Sequence, residues 1–139
     1  MKKIGLLLFI SSLMIISTNC KKNLDPTVDG IYKGTITIYG NGYDTSFQNQ
    51  GVQLTEISKN KVQVQPYNNG GGSTFTANLS KSGSNVILTI PSESVSGGSI
   101  QGYSADPSDY TAGSNQLHYD IQVNDNGVIL NEKFTGTKQ

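Results

Sequence analysis

From residue 30 onward, apolar residues recur at every second position in short runs, and clusters of Gly, Asn, Asp, Ser and Pro separate the runs. A period of two marks strands with one buried face, and nothing after residue 29 has helical spacing. The first strand, near residues 30–39, sets Tyr32, Ile36 and Ile38 on one side and Lys33, Thr35 and Thr37 on the other, with Gly34 leaving room for curvature on the apolar side. A second, near 51–57, carries Val52 and Leu54 inward, with Ile57 out of phase. Val62 and Val64 mark a third, stopped by Pro66; Phe75, Ala77 and Leu79 a fourth; Val86, Leu88 and Ile90 a fifth, ended by Pro91. One weak strand at 100–104 is expected between loops at 92–99 and 105–114. The seventh has the cleanest alternation: Leu117, Tyr119, Ile121 and Val123 face in, and Gln116, His118, Asp120 and Gln122 face out. After the hairpin signal Asp125-Asn126-Gly127, the eighth carries Val128, Leu130, Phe134 and Gly136 inward. Glu132 shares that inward phase, which implies a bulge or an opening to water.

Tyr32-Lys33-Gly34-Thr35 in the first strand is echoed by Phe134-Thr135-Gly136-Thr137 in the last. Matching aromatic-x-Gly segments at the two ends suit strands that pair and bend together, so Tyr32 and Phe134 are expected at the closure of the fold. The prediction is an all-β, eight-stranded antiparallel meander barrel, since closure removes the two exposed edges of an open sheet; a two-sheet β-sandwich is the alternative. The strands are mostly too short for an outer-membrane barrel and lack aromatic girdles. Simple up-and-down connections would gather the turns at Gly42, Gly70, Gly97-Gly98 and Gly127 opposite the chain's entry. That end is the expected open one, with Tyr43 and Tyr67 beside it and Tyr103 and Tyr110 nearer the other.

The N-terminus changes the picture from an isolated domain to an anchored one. Met1-Lys2-Lys3 precedes an uncharged, mostly apolar run of 13 residues at 4–16, too short for the roughly 20 residues of a membrane span but right for a signal core. Ser17, Thr18 and Asn19 lead to Cys20, the only cysteine, which therefore makes no internal disulfide. This resembles bacterial lipoprotein signals, with Ser17 where Leu is usual and Asn19 before the acylated Cys20. The expected organisation is a signal peptide at 1–19, the lipidated cysteine and a polar tether with Pro26 at 20–29, and the barrel at 30–139. The implied location is the cell envelope, lipid-anchored, at the outer membrane, because Lys21 replaces the aspartate that retains some lipoproteins at the inner one. From Cys20 on, 8 Lys stand against 10 Asp plus Glu, a formal charge of −2, and there is no arginine. Without a basic face, a nucleic-acid partner is not expected.

Gly30-Ile31-Tyr32 at the head of the first strand looks like the Gly-x-Trp of the lipocalins and the wider calycin group, with Tyr for Trp. Together with Phe134-x-Gly136-Thr137 and the lipoprotein signal, the chain resembles small bacterial lipoproteins with a calycin-like barrel. In lipocalins a late arginine packs over the first-strand aromatic; here the resemblance implies that Lys138 or Lys133 takes that place. It also implies a pocket at the end opposite Tyr32 and Phe134.

Candidate chemistry is sparse. His118, the sole histidine, lies on a polar strand face beside Asp120, without the three or four ligands of a zinc site and without a Gly-x-Ser-x-Gly elbow. Asp106, Asp109 and Asp125 do not have the spacing of a calcium loop, and Gly70-Gly71-Gly72 lacks the lysine and helix of a phosphate loop. No catalytic residue, metal or cofactor is predicted. Tyr43, Tyr67, Tyr103 and Tyr110 lie among Asn, Gln, Ser and Thr, a mixture able to stack on and hydrogen-bond a sugar or another polar ligand. The expected function is an envelope lipoprotein that binds a small molecule or glycan at its open end; the alternative is a non-enzymatic envelope component that binds protein partners. An internal cavity would favour the first, and a filled core with an exposed apolar or Tyr-rich patch the second.

Overall fold

The computed structural model describes residues 27–67, 73–103 and 105–139. Its strands are β1 (Gly30–Gly40), β2 (Tyr43–Ser58), β3 (Lys61–Tyr67), β4 (Phe75–Ser82), β5 (Asn85–Thr89), β6 (Glu93–Val95), β7 (Gly98–Gly102), β8 (Ser108–Thr111), β9 (Gln116–Asp125) and β10 (Val128–Lys138). They form one antiparallel sheet of 10 strands in the order β10-β1-β2-β3-β4-β5-β8-β9-β7-β6, and a further β9–β10 pairing closes eight of them into a ring. The expected all-β antiparallel fold is thus present, with eight strands joined in one continuous ring.

The echo between first and last strands is the seam of that ring. Gly34 stands opposite Gly136, and Thr35 opposite Thr135. A Cβ on Gly34 would collide with the Thr135 carbonyl and the Gly136 backbone, and one on Gly136 with the Phe134 ring and the Lys33 carbonyl. Glycine is therefore required on both sides by close backbone approach. A register shift between Gly34 and Ile36 against β2, with Asn49 at φ 58°, supplies the extra bend.

Two of the eight walls are interrupted, which corrects the expected loops at 92–99 and 105–114. β5 pairs with β8, and β6 pairs with β7. β7 and β8 in turn lie along successive parts of β9, β8 against Gln116–His118 and β7 against Ile121–Asp125. Pro91, with no N–H to donate, falls in the break between β5 and β6. Residues 103 and 105–107 belong to the excursion between β7 and β8. The Glu93 carboxylate binds the Thr76 N–H at 3.2 Å and the Thr76 hydroxyl, fastening β6 to the start of β4.

Inside the ring, the inward-facing side chains form one buried core. Val52, Val62, Val64, Ala77, Val86 and Leu117 are at 0% exposure together with Tyr32, Tyr119 and Phe134. Each such aliphatic side chain contributes about 1.5–3 kcal/mol over its exposed state. Tyr32 meets Tyr110 edge-on at 6.1 Å near the chain's entry, where its hydroxyl also donates to the Val28 carbonyl at 2.6 Å. Further along the axis Tyr119 stacks on Phe134 at 5.4 Å and meets Phe75 edge-on at 5.5 Å. Tyr32 and Phe134 thus share the seam but occupy successive layers, since Tyr32 pairs with Lys138 and Phe134 with Ile36.

Hydrogen bonds between turns fix the two ends. The Asn126 N–H donates to Gly97 O, which joins the β9–β10 and β6–β7 turns. At the opposite end the Lys138 N–H donates to Asn115 O, the Gln139 N–H to Ile31 O, and the Leu79 N–H to Asn60 O. The turns at Gly42, Gly97 and Gly127 therefore lie opposite the chain's entry, as expected. The Gly70 turn and the expected lipidation site Cys20 lie outside the described residues.

Candidate functional site

At the end away from the chain's entry, β1, β2, β9 and β10 outrun the filled ring. β2 begins at Tyr43, well before the expected Gly51, and β3 pairs only with residues 51–58 of it. Residues 43–49 are all exposed, although Tyr43, Thr45 and Phe47 have the inward phase, opposite Gly40, Ile38 and Ile36. Tyr43 is 59% exposed and Phe47 46%. This open face continues across Ile36, Ile38, Leu130 and Val123, all half-buried.

Glu132 stands within this apolar ring. It pairs with Ile38 on one side and Ile121 on the other, so strand alternation points it inward without the bulge the sequence suggested. The other resolution applies: it is half-buried and reaches the open end. Its Oε1 accepts the Tyr119 hydroxyl at 2.8 Å, directly above the Phe75–Tyr119–Phe134 layer. Burial pushes the carboxyl above its ordinary value, against the opposing pull of the Tyr119 hydrogen bond.

A second polar constellation lies on the outside of the wall, where the sequence predicted a solvent-facing strand face. That expectation is corrected: Asp120 is 1% exposed and the His118 side chain 17%. The cause is the connection from β7 to β8, through Tyr103, Asp106 and Ser108. The Tyr103 N–H donates to Asp120 O at 2.9 Å, the Asp120 N–H donates to the Ser108 hydroxyl at 3.0 Å, and Asp106 pairs with both Lys133, at 2.7 Å, and His118, at 3.3 Å. Across β10, Tyr39 donates its hydroxyl to Asp120 Oδ2 at 2.7 Å, while Asp120 Oδ1 is buried without a partner among the described residues. Desolvation pushes the Asp120 carboxyl up despite the Tyr39 hydrogen bond, and the Lys133 hydrogen bond draws that of Asp106 down. Within this cluster His118 holds a strap against the wall through Asp106 and also lies 3.3 Å from the Thr135 hydroxyl. Among the described residues, no group of three or more His, Cys, Asp and Glu is arranged to hold a metal ion.

The predicted ligand tyrosines do not converge. Tyr43 is at the open end on the inward phase. Tyr67 follows the buried Pro66 and so points outward, where its ring covers Gly51. Tyr110 is buried beside Tyr32, and Tyr103 lies along the wall between β7 and β8 rather than at the entry end. Phe47 escaped notice as a site residue because only its pairing with Ile36 shows that β2 extends so far. Lys138, opposite Tyr32, packs its side chain against Gly30 and donates to Thr27 O at 3.0 Å, whereas Lys133 belongs to the outer-wall cluster. No protein-family model, curated protein or solved structure matches the chain.

Proposed function

We propose that this chain is a lipid-anchored, non-enzymatic envelope protein that binds its ligand across the open end of the barrel. The observation that carries this reading is the exposure of Tyr43 and Phe47 on the inward phase of β2, above a filled interior. Apolar and aromatic side chains on a concave-phase face, left in water above the buried inward layers, are what a binding surface requires. The chain enters at the opposite end, so a tether from Cys20 would leave this face pointing away from the membrane. The lipoprotein signal and calycin-like pattern support the envelope assignment.

The filled interior bears on the kind of ligand. A small molecule or glycan would lie on the face, over Glu132, rather than enter the barrel. A second reading, a protein partner, is favoured by the same filled core and by the outer edge of β2 from Tyr43 to Asn49, which has no strand beside it among the described residues. A photoreactive side chain placed at Phe47, with Ile57 as an exposed control (50%), tests both in living cells. Adducts of a few hundred daltons at position 47 alone support the first reading, and protein-sized adducts there support the second. Equal labelling at both positions, or none at 47, overturns binding at the open end.

A further inference from the structure

We propose that Glu132 anchors a site for a small primary amine with an apolar chain, which deepens the small-molecule reading above and rests on it. The positions around the carboxylate are Ile36, Ile38, Ile121, Val123 and Leu130, none of them able to neutralise or hydrogen-bond it. Its one hydrogen bond among the described residues is from Tyr119, to Oε1. Tyr119 is fully buried and clamped between Phe134 and Phe75, so that bond fixes the carboxylate in place.

The aromatic layer closes the space beneath, which leaves the open end as the direction from which Oε2 can be approached. A half-buried carboxylate surrounded by apolar side chains favours a cationic donor over a neutral one, because a charge-assisted hydrogen bond is roughly twice as strong as a neutral one. Ile36, Ile38, Leu130 and Phe47, which are half-buried or exposed, would take the apolar chain. A sugar offers neither the charge nor the apolar body. A purely structural Glu132 would serve only as acceptor for the Tyr119 hydroxyl, and glutamine can do that as well.

The test titrates the full chain, in lipid nanodiscs, with hexylamine and with hexanol, and follows the NMR signals of Tyr43 and Phe47. Hexylamine is expected to bind at least about tenfold more tightly than hexanol, the ratio that corresponds to one charged hydrogen bond. Glu132→Gln should bring the two ligands level. In the unmutated chain the Glu132 carboxyl signal should titrate at lower pH when hexylamine is present, a readout that does not depend on the variant folding. Equal affinities for the two ligands, or an amine preference that survives Glu132→Gln, overturns the amine site but leaves binding at the open end standing. If neither ligand moves the Tyr43 and Phe47 signals, the amine site falls and small-molecule binding at this face loses its support, with photo-crosslinking at position 47 deciding for a protein partner.

Discussion

The Tyr39 hydroxyl reaches across the width of β10 to Asp120 Oδ2 at 2.7 Å, joining β1 to β9 between residues 81 positions apart in the chain. Among the described residues it is the one side-chain donor to a carboxylate that is 1% exposed and whose other oxygen has no partner there. Losing such a donor leaves a buried acceptor bare, at a cost of about 1–3 kcal/mol. Tyr39→Phe should therefore lower the urea midpoint clearly. In an Asp120→Asn background the same change should cost less, and a double-mutant cycle would measure the difference. A Tyr39→Phe chain as stable as the parent would show that this bond does not bind the wall together.

Gly34→Ala should be among the most damaging single-methyl changes in the chain. The added Cβ runs into the Thr135 carbonyl and Gly136 backbone, neither of which can rotate away, so the β1–β10 seam must part. Overpacking typically costs about 1–3 kcal/mol, and a backbone collision belongs at the top of that range. Gly83→Ala is the comparison, because a Cβ there meets nothing within 4 Å and only its φ of 61° is unfavourable. Chemical denaturation of the two variants should rank Gly34→Ala well below Gly83→Ala.

The contrast between the seam and the outer wall shows what the sequence can express. The Gly34–Gly136 pairing was legible because both partners carry the same local mark, an aromatic followed by glycine two positions on. The inward phase of β9 was legible because Leu117, Tyr119, Ile121 and Val123 repeat at period two. Asp120 has the outward phase in that same run, and alternation assigns it to solvent. Its burial comes from Tyr103, Asp106 and Ser108 lying over the wall, with Asp106 held to Lys133 and His118, and no periodicity encodes a cover supplied by another segment. Tyr67 has the same lesson: its position beside a loop is evident, but only the burial of Pro66 turns its ring outward over Gly51. Glu132 is visible as an anomaly, and of the two explanations it allows, only its unshifted pairing with Ile38 and Ile121 selects the opening over the bulge.

Lipidation at Cys20 predicts a membrane-bound product whose mass includes acyl chains. Each buried methylene contributes about 0.8 kcal/mol, and stable residence needs more than one chain. Cys20→Ser should shift the protein to the soluble fraction or stall it as the unprocessed precursor. Mass spectrometry and membrane fractionation that are unchanged by the substitution would exclude the anchor.

Tyr119→Asp should unfold the barrel, whereas His118→Ala should not. Tyr119 is at 0% exposure between two aromatic rings, and a carboxylate in its place would also face Glu132. An unpaired buried charge costs several kcal/mol against a total domain stability of about 5–15. His118 contributes one contact to a partly exposed ion pair, a class of interaction worth about 0–1 kcal/mol. Thermal unfolding should separate the two variants widely; equal midpoints would mean that the aromatic layer does not hold the interior together.

The carboxyl groups predict how stability should follow pH. Burial raises Glu132 above its ordinary value of 4.5 and Asp120 above 3.8, so the folded chain keeps both protons to higher pH than the unfolded chain. The stability they contribute is full below the unfolded values, falls as pH rises from there through the raised folded values, and is level beyond. Asp106 acts in the opposite sense: held low by Lys133, it adds stability above its ordinary value of 3.8 that is lost as pH falls through the lowered one. The two effects occupy adjoining ranges, so stability should pass through a maximum near the ordinary carboxylate range and decline on both sides. Glu132→Gln removes one group responsible for the high-pH decline and keeps an acceptor for the Tyr119 hydroxyl. Urea unfolding across that range should therefore give a shallower fall for Glu132→Gln than for the parent, with the acid limb unchanged; a variant curve parallel to the parent's throughout would show that Glu132 titrates as an ordinary surface carboxylate.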